Sequence, residues 1–142
     1  MPLSSGSLGD LVSLVLELWP ECVYGEEYAY FEGIISREDE ICFLAIYRNE
    51  NVGFIHVAIR YDYVEGADSS PVAYVEAIYV RPAHRKMGIA GKLFSVAEQW
   101  ARLHGCHQIA PDAELENPGI IDFHCKIGFR EANRVVCFIK DL

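Results

Sequence analysis

The stretch Val80-Arg81-Pro82-Ala83-His84-Arg85-Lys86-Met87-Gly88-Ile89-Ala90-Gly91-Lys92-Leu93 joins an apolar, strand-like run to an amphipathic, helix-like one. The chemistry it suits is the binding of an anion. A helix N-terminus presents unpaired N–H groups and the positive end of the helix dipole. Gly88 and Ala90 are small enough to let a bulky anion reach the backbone, and Arg85 and Lys86 bring positive charge to it. A diphosphate is the natural guest. The nucleotide-binding strings Gly-x-x-x-x-Gly-Lys-Ser/Thr and Gly-x-Gly-x-x-Gly do not occur here. The bland alternative is an ordinary strand-to-helix turn with a solvated basic face.

Two carboxylates stand out beside this segment. Glu76 lies within the run Val72 to Val80, where strict alternation puts Val72, Tyr74, Glu76, Ile78 and Val80 on one face. A carboxylate among such neighbours is costly unless it is solvated or paired, and a salt-bridged or edge-exposed Glu is the competing reading. Asp112 follows the short strand-like run Cys106 to Pro111 at its C-terminal end, a place where ligands of α/β sheets gather. It could equally be a helix cap or a loop acid.

The elements that must position these groups follow from periodicity. Leu8 to Trp19 carries apolar residues at helical spacing and meets Pro20. Tyr28 to Ile34 is ambiguous, with a second short helix as one option. Ile41 to Tyr47 and Val52 to Arg60 are β-rich runs around Asn49-Glu50-Asn51, which reads as a hairpin. Tyr61 to Pro71 is a polar loop, and Val72 to Val80 the next strand. A helix from about Gly88 to Arg102 buries Leu93, Phe94, Val96, Ala97 and Trp100. Cys106 to Ala110 is a short strand, Asn117 to Lys126 suggests a helix, and Val135 to Ile139 a last strand. The order implies a single α/β domain over residues 1–142, with one central mixed sheet flanked by helices.

Composition narrows the function classes. A hydrophobic content of 51% with 12% aromatics excludes general disorder. No apolar run approaches the roughly 20 residues of a membrane span, and Leu11 to Leu18 lacks the basic flank of a signal peptide. A cytoplasmic protein with no membrane partner is expected. The net charge of −9 argues against nucleic acid and suits a cationic small molecule. Cys22, Cys42, Cys106, Cys125 and Cys137 form no C-x-x-C pair and read as reduced, mostly buried thiols. His104-Gly105-Cys106-His107 matches no zinc framework and reads as a helix end, so no metal is expected.

The pattern Arg85-x-x-Gly88-x-Ala90 resembles the acyl-CoA signature of the GNAT acetyltransferases, Arg/Gln-x-x-Gly-x-Gly/Ala. The family's second signature is an Asn, then usually a Tyr, then Gly-Phe. Asn117, His124 and Gly128-Phe129 keep its spacing. The upstream runs Leu18-Trp19-Pro20, Ile59-Arg60-Tyr61-Asp62-Tyr63-Val64, Asp68-Ser69-Ser70-Pro71-Val72 and Val75-Glu76-Ala77-Ile78-Tyr79-Val80 resemble the chromosomal-type aminoglycoside 6'-N-acetyltransferases, as do Asp112-Ala113 and Arg134-Val135-Val136. The resemblance covers most of the chain. It departs at a shortened N-terminus, where the first strand is missing or rudimentary. It also departs at Cys22, where relatives carry His, and at Asn133, where they often carry Glu.

The resemblance implies the GNAT fold, with acetyl-CoA held in a V-shaped splay between two parallel strands and no metal. It implies acetyl transfer to the 6'-amine of an aminoglycoside by direct attack in a ternary complex. Glu76 becomes the base that takes the amine's proton, a task a positioned carboxylate can perform directly or through water. Asp112 becomes a contact to substrate ammonium groups and a second candidate for deprotonating them, and His124 a proton donor to the leaving thiolate or else a packing residue. The backbone of Ile78, Tyr79 and Val80 is expected to pair with the pantetheine arm, with the Val80 N–H polarising the thioester oxygen. The N–H groups of Lys86, Met87, Gly88, Ile89, Ala90 and Gly91 are expected to hold the diphosphate. Asn117 is expected to bond the pantetheine, to cap a helix, or both. Trp19, Cys22, Tyr63 and Asn133 fall at substrate-contacting positions. A homodimer with the C-terminal strands near its interface is implied too. The competing functions are acetylation of another small amine, a polyamine or peptide, and a sensor that binds acetyl-CoA without turnover. Intact Glu76 and Asp112 argue against the sensor.

Overall fold

The computed structural model describes residues 1–62, 64, 66–68, 70–111, 123–133 and 136–142. Two helices, α1 (Leu8–Leu18) and α2 (Tyr24–Ile34), precede strands β1 (Glu40–Tyr47), β2 (Glu50–Arg60) and β3 (Val72–Val80). Helix α3 (Ile89–Leu103) and strand β4 (Ile109–Pro111) follow. The sheet order is β1-β2-β3-β4. The first three strands are antiparallel and β4 joins β3 in parallel, so α3 serves as the crossover that a parallel pair requires. This is the mixed sheet expected from the sequence.

Each helix lies where its apolar residues find the sheet. Leu8, Leu11, Val12, Leu14 and Val15 of α1 and Phe31 and Ile34 of α2 pack with Cys42, Leu44, Phe54 and Ala77 on one face. Leu93, Phe94, Ala97 and Ala101 of α3 pack with Phe43, Ile55, Val57, Ala73, Val75 and Val80 on the other. The stripe on α3 is narrower than expected. Val96 is exposed and Trp100 only partly buried, because the buried positions recur at 93, 97 and 101 with 94 beside them.

Two further expectations are adjusted and one holds. The β1–β2 hairpin turns at Arg48-Asn49, earlier than the expected Asn49-Glu50-Asn51, and Tyr47 pairs with Glu50. Both turn residues have positive φ, 50° and 66°, which matches the two-residue turn whose twist suits a hairpin. The N-terminal strand is rudimentary, as anticipated. Pro2 bridges Phe43, with Leu3 N–H bonded to Cys42 O at 2.9 Å and Leu44 N–H to Met1 O at 2.7 Å. The expected strand over Val135–Ile139 is not formed in its described part, residues 136–139. No described strand lies alongside to supply a hydrogen-bond ladder, and Val136, Phe138 and Ile139 are exposed.

Among the thiols, all five are free, but only Cys42 and Cys106 are buried. Cys22 is half-buried, while Cys125 and Cys137 are exposed, so "mostly buried" does not hold. His104 closes α3, its Nδ1 donating to the Trp100 carbonyl at 2.8 Å and its ring against the indole, which is the helix-end role read from sequence. No helix among the described residues is long and apolar enough to cross a membrane.

Candidate active site

Strand β3 is the spine of the site, and its alternation breaks where the chemistry is expected. His56 pairs with Ala77 and Val57 with Val75, so Glu76 is an extra residue with no partner across β2. Such a bulge reverses which face the following side chains meet. Ala73 and Val75 pack toward α3 before it, and Ile78 and Val80 after it. Val72 and Tyr74 belong to a separate cluster with Val64, and Ala77 and Tyr79 join the α1–α2 side. The single face Val72, Tyr74, Glu76, Ile78, Val80 read from strict alternation is therefore corrected: a bulge at Glu76 divides it. Bulges concentrate beside active sites because they re-aim a side chain.

Glu76 is neither buried nor unpaired. Its side chain is 32% exposed, and Arg60 Nη2 donates to Oε1 at 3.1 Å and Oε2 at 3.3 Å. The Arg60 guanidinium lies 3.5 Å from the centre of the Tyr74 ring. The ion pair is the arrangement that the competing, salt-bridged reading of Glu76 expected, and it leaves the carboxylate partly exposed.

The same bulge marks the end of the parallel ladder. β3 and β4 pair from Ala73↔Ile109 to Val75↔Pro111. Among the described residues, no ladder is formed with Ile78, Tyr79 or Val80 on that side of β3. Asp112 and Asn117, the residues expected to serve the site from the chain after β4, lie outside the described residues, as does Tyr63.

At the end of β3 the chain makes one 3-10 turn, Pro82–His84, and enters α3. Arg85 Nε donates to the Val80 carbonyl at 2.9 Å, fastening the loop back on the strand. Gly88 caps α3 with φ +81°, a left-handed conformation that costs any other L-residue energy. Its carbonyl takes the first helical bond, from Lys92 N–H at 3.1 Å, so the N–H groups of Ile89, Ala90 and Gly91 precede the intrahelical ladder. A Cβ on Gly88 or on Gly91 would meet nothing within 4 Å. Lys86, with φ 63°, Met87 and Gly88 are exposed. An open surface of N–H groups and two basic side chains is what a diphosphate fits.

The α1–α2 connection borders the same end of β3. Trp19 caps α1 and is exposed, and Cys22 N–H bonds Trp19 O at 3.1 Å. Glu17 ties this corner down. It accepts from Tyr79 Oη at 3.0 Å and pairs with Arg81 Nη2 at 3.0 Å. Burial and that bond to Glu17 raise the Tyr79 phenol above its ordinary pKa. Burial, and then the charge of Glu27, likewise raise the Cys22 thiol. Asn133 is exposed in the segment after Phe129. Its neighbour Ala132 sits so close to Gly66, in the loop that follows β2, that a Cβ on Gly66 would collide with it.

His124 is placed apart from Glu76. It is buried in the helical turn 123–126, with the rings of Phe94, Phe123 and Phe129 edge-on around it, on the α3 side of the sheet. Arg60 and Glu76 lie on the opposite side, the face that His56 shares with Phe31 of α2. Sequence reasoning missed three residues that shape the site: Arg60, Tyr74 and Glu17. A single Arg at a strand end or a Glu on a helix carries no signature, so only cross-strand register brings them to notice.

Comparison with known proteins accords with this geometry. Residues 8–129 match the model of the acetyltransferase (GNAT) family. An aminoglycoside N(6')-acetyltransferase type 1 from Acinetobacter baumannii is 36% identical, spanning 100% of this chain and 97% of its own. The enzyme of the same name from Acinetobacter haemolyticus is 33% identical over 99% and 97%. The structure of AAC(6')-Iy with the bisubstrate analogue CoA-S-monomethyl-acetylneamine superposes with TM-score 0.94, 32% identity and coverage of 100% and 97%. With the family model matching from α1 to the end of the last helical turn, and with relatives of one kind matching end to end, the chain belongs to the acetyltransferase (GNAT) family.

Proposed function

We propose that this protein, a single domain over residues 1–142, is an acetyl-CoA-dependent aminoglycoside 6'-N-acetyltransferase. The observation that carries the reading is end-to-end similarity to enzymes of that name and to a structure holding a CoA–aminoglycoside conjugate. The exposed carboxylate on the bulge of β3 supplies a matching chemistry.

Acetyl-CoA supplies the acetyl group as a thioester. The unpaired N–H groups of Ile89, Ala90 and Gly91, with those of Lys86, Met87 and Gly88, hold its diphosphate, and Arg85 and Lys86 add charge. Ile78, Tyr79 and Val80 offer their backbone groups to the pantetheine arm, and the Val80 N–H polarises the thioester oxygen. Asn117 hydrogen-bonds that arm. Trp19, Cys22, Tyr63, Asp112 and Asn133 surround the sugar, with Asp112 holding its ammonium groups. Glu76 takes the proton of the attacking amine, directly or through a water. The new C–N bond forms as the C–S bond breaks, and the proton the amine gives up, passed through Glu76 and solvent, balances the one the leaving thiolate gains. For His124 the ring of phenyl neighbours favours packing over proton donation. No metal is needed.

The exposed apolar tail supports a homodimer. Phe138 and Ile139 are 93% and 97% exposed, which a second copy would remedy. Five free thiols suit the cytoplasm, where we place the protein.

Thiol release from acetyl-CoA, measured with kanamycin, tobramycin, spermidine and a short peptide and followed by mass spectrometry, tests the reading. One added acetyl group on the aminoglycosides is expected. Turnover confined to spermidine or the peptide would replace the substrate class.

A further inference from the structure

We infer that Arg60 is a positioning residue that fixes the carboxylate of Glu76 for proton transfer. The inference rests on the reading of Glu76 as the group that receives the amine's proton. As the extra residue of a bulge, Glu76 has no neighbour across β2 to hold its side chain in one rotamer, and that side chain is a third exposed. Among the described residues, Arg60 is the one cation paired with it. One nitrogen, Nη2, reaches both carboxylate oxygens and so fills the space between them. The outer lone pairs are what remain for an incoming amine, which sets the direction of its approach. Arg60 is itself held. Its guanidinium rests on the face of Tyr74, a buried ring on the same strand as Glu76, and its backbone is in register with Val72. The anchor therefore stays in place whether or not the carboxylate accepts a proton.

An ion pair this exposed contributes little to stability, so its loss separates a structural role from a positioning one. The test is a double-mutant cycle of R60A and E76Q, with R60K as the conservative variant. It is read as kcat, the KM of each substrate and Tm, on whichever amine of the panel turns over. R60A is expected to lower kcat about tenfold, since misplacing a reacting group by an ångström costs up to about a hundredfold. Tm and the acetyl-CoA KM stay close to the parent values. R60K recovers part of the loss, and R60A causes no further loss in the E76Q background. Equal losses in both backgrounds, or unchanged kcat in R60A, overturn the inference. So does a lower amine KM at full kcat, which would make Arg60 a mere counter-ion competing with substrate. If the wild type turns over only spermidine or the peptide, the aminoglycoside reading fails, and the cycle on that amine still decides the role of Arg60.

Discussion

At the scale of residues, a carboxylate serves as a base only where an amine can reach it and something holds it still. Glu76 meets both conditions through the bulge that exposes it and the guanidinium that grips it. Replacement by Gln keeps the shape and removes the proton acceptor. The E76Q enzyme should lose about a hundredfold or more in kcat, as general bases do, with acetyl-CoA affinity unchanged when measured by calorimetry. A second expectation concerns Cys22, whose thiol is raised by desolvation and then by Glu27. At pH 8 a raised thiol is less ionised, and only the thiolate is alkylated. Glu27→Gln should therefore speed modification of Cys22 by iodoacetamide, mapped by mass spectrometry, and an unchanged rate would refute the assignment of cause. Glu76 was legible in the sequence because a charged residue interrupts an apolar strand. Its partner was not, since Arg60 is distant in sequence and meets it only through the β2–β3 register.

At the scale of elements, the boundaries of β3 and α3 were legible because residue type changes sharply at Val72, Val80 and Gly88. The bulge was not, because periodicity assumes the alternation that a bulge interrupts. Two glycines separate backbone conformation from packing. Gly88→Ala meets open space but keeps φ +81°, so it should cost about 1 kcal/mol in chemical denaturation, by conformation alone. The KM for acetyl-CoA should rise while that for the amine holds. Gly53→Ala instead places a Cβ 2.6 Å from the Tyr79 carbonyl of the neighbouring strand. Overpacking of that kind costs about 1–3 kcal/mol, so Gly53→Ala should be the more destabilising of the two. The reverse ranking would mean that the loop, not the strand pair, is the stiffer part.

At the scale of the whole molecule, charge and the C-terminal segment carry the account. A net charge of −9 draws a polycation, and salt screens that attraction. The kcat/KM for tobramycin should fall as ionic strength rises, with the fall in KM affinity rather than in kcat. Patterning gave the apolar run Val135 to Ile139 the look of a strand, yet its described part forms none, because patterning marks a run able to pair and not the edge it would pair with. Phe138→Glu should shift a dimer of twice the 16.0 kDa chain toward monomer in sedimentation velocity, and a variant that sediments like the parent would place the interface elsewhere. Which nitrogen this site acetylates can be read by two-dimensional NMR of the purified product made from kanamycin. A single acetyl group on the 6'-nitrogen is expected. An acetyl group on any other nitrogen, or none on kanamycin while another amine is acetylated, would overturn the proposed function.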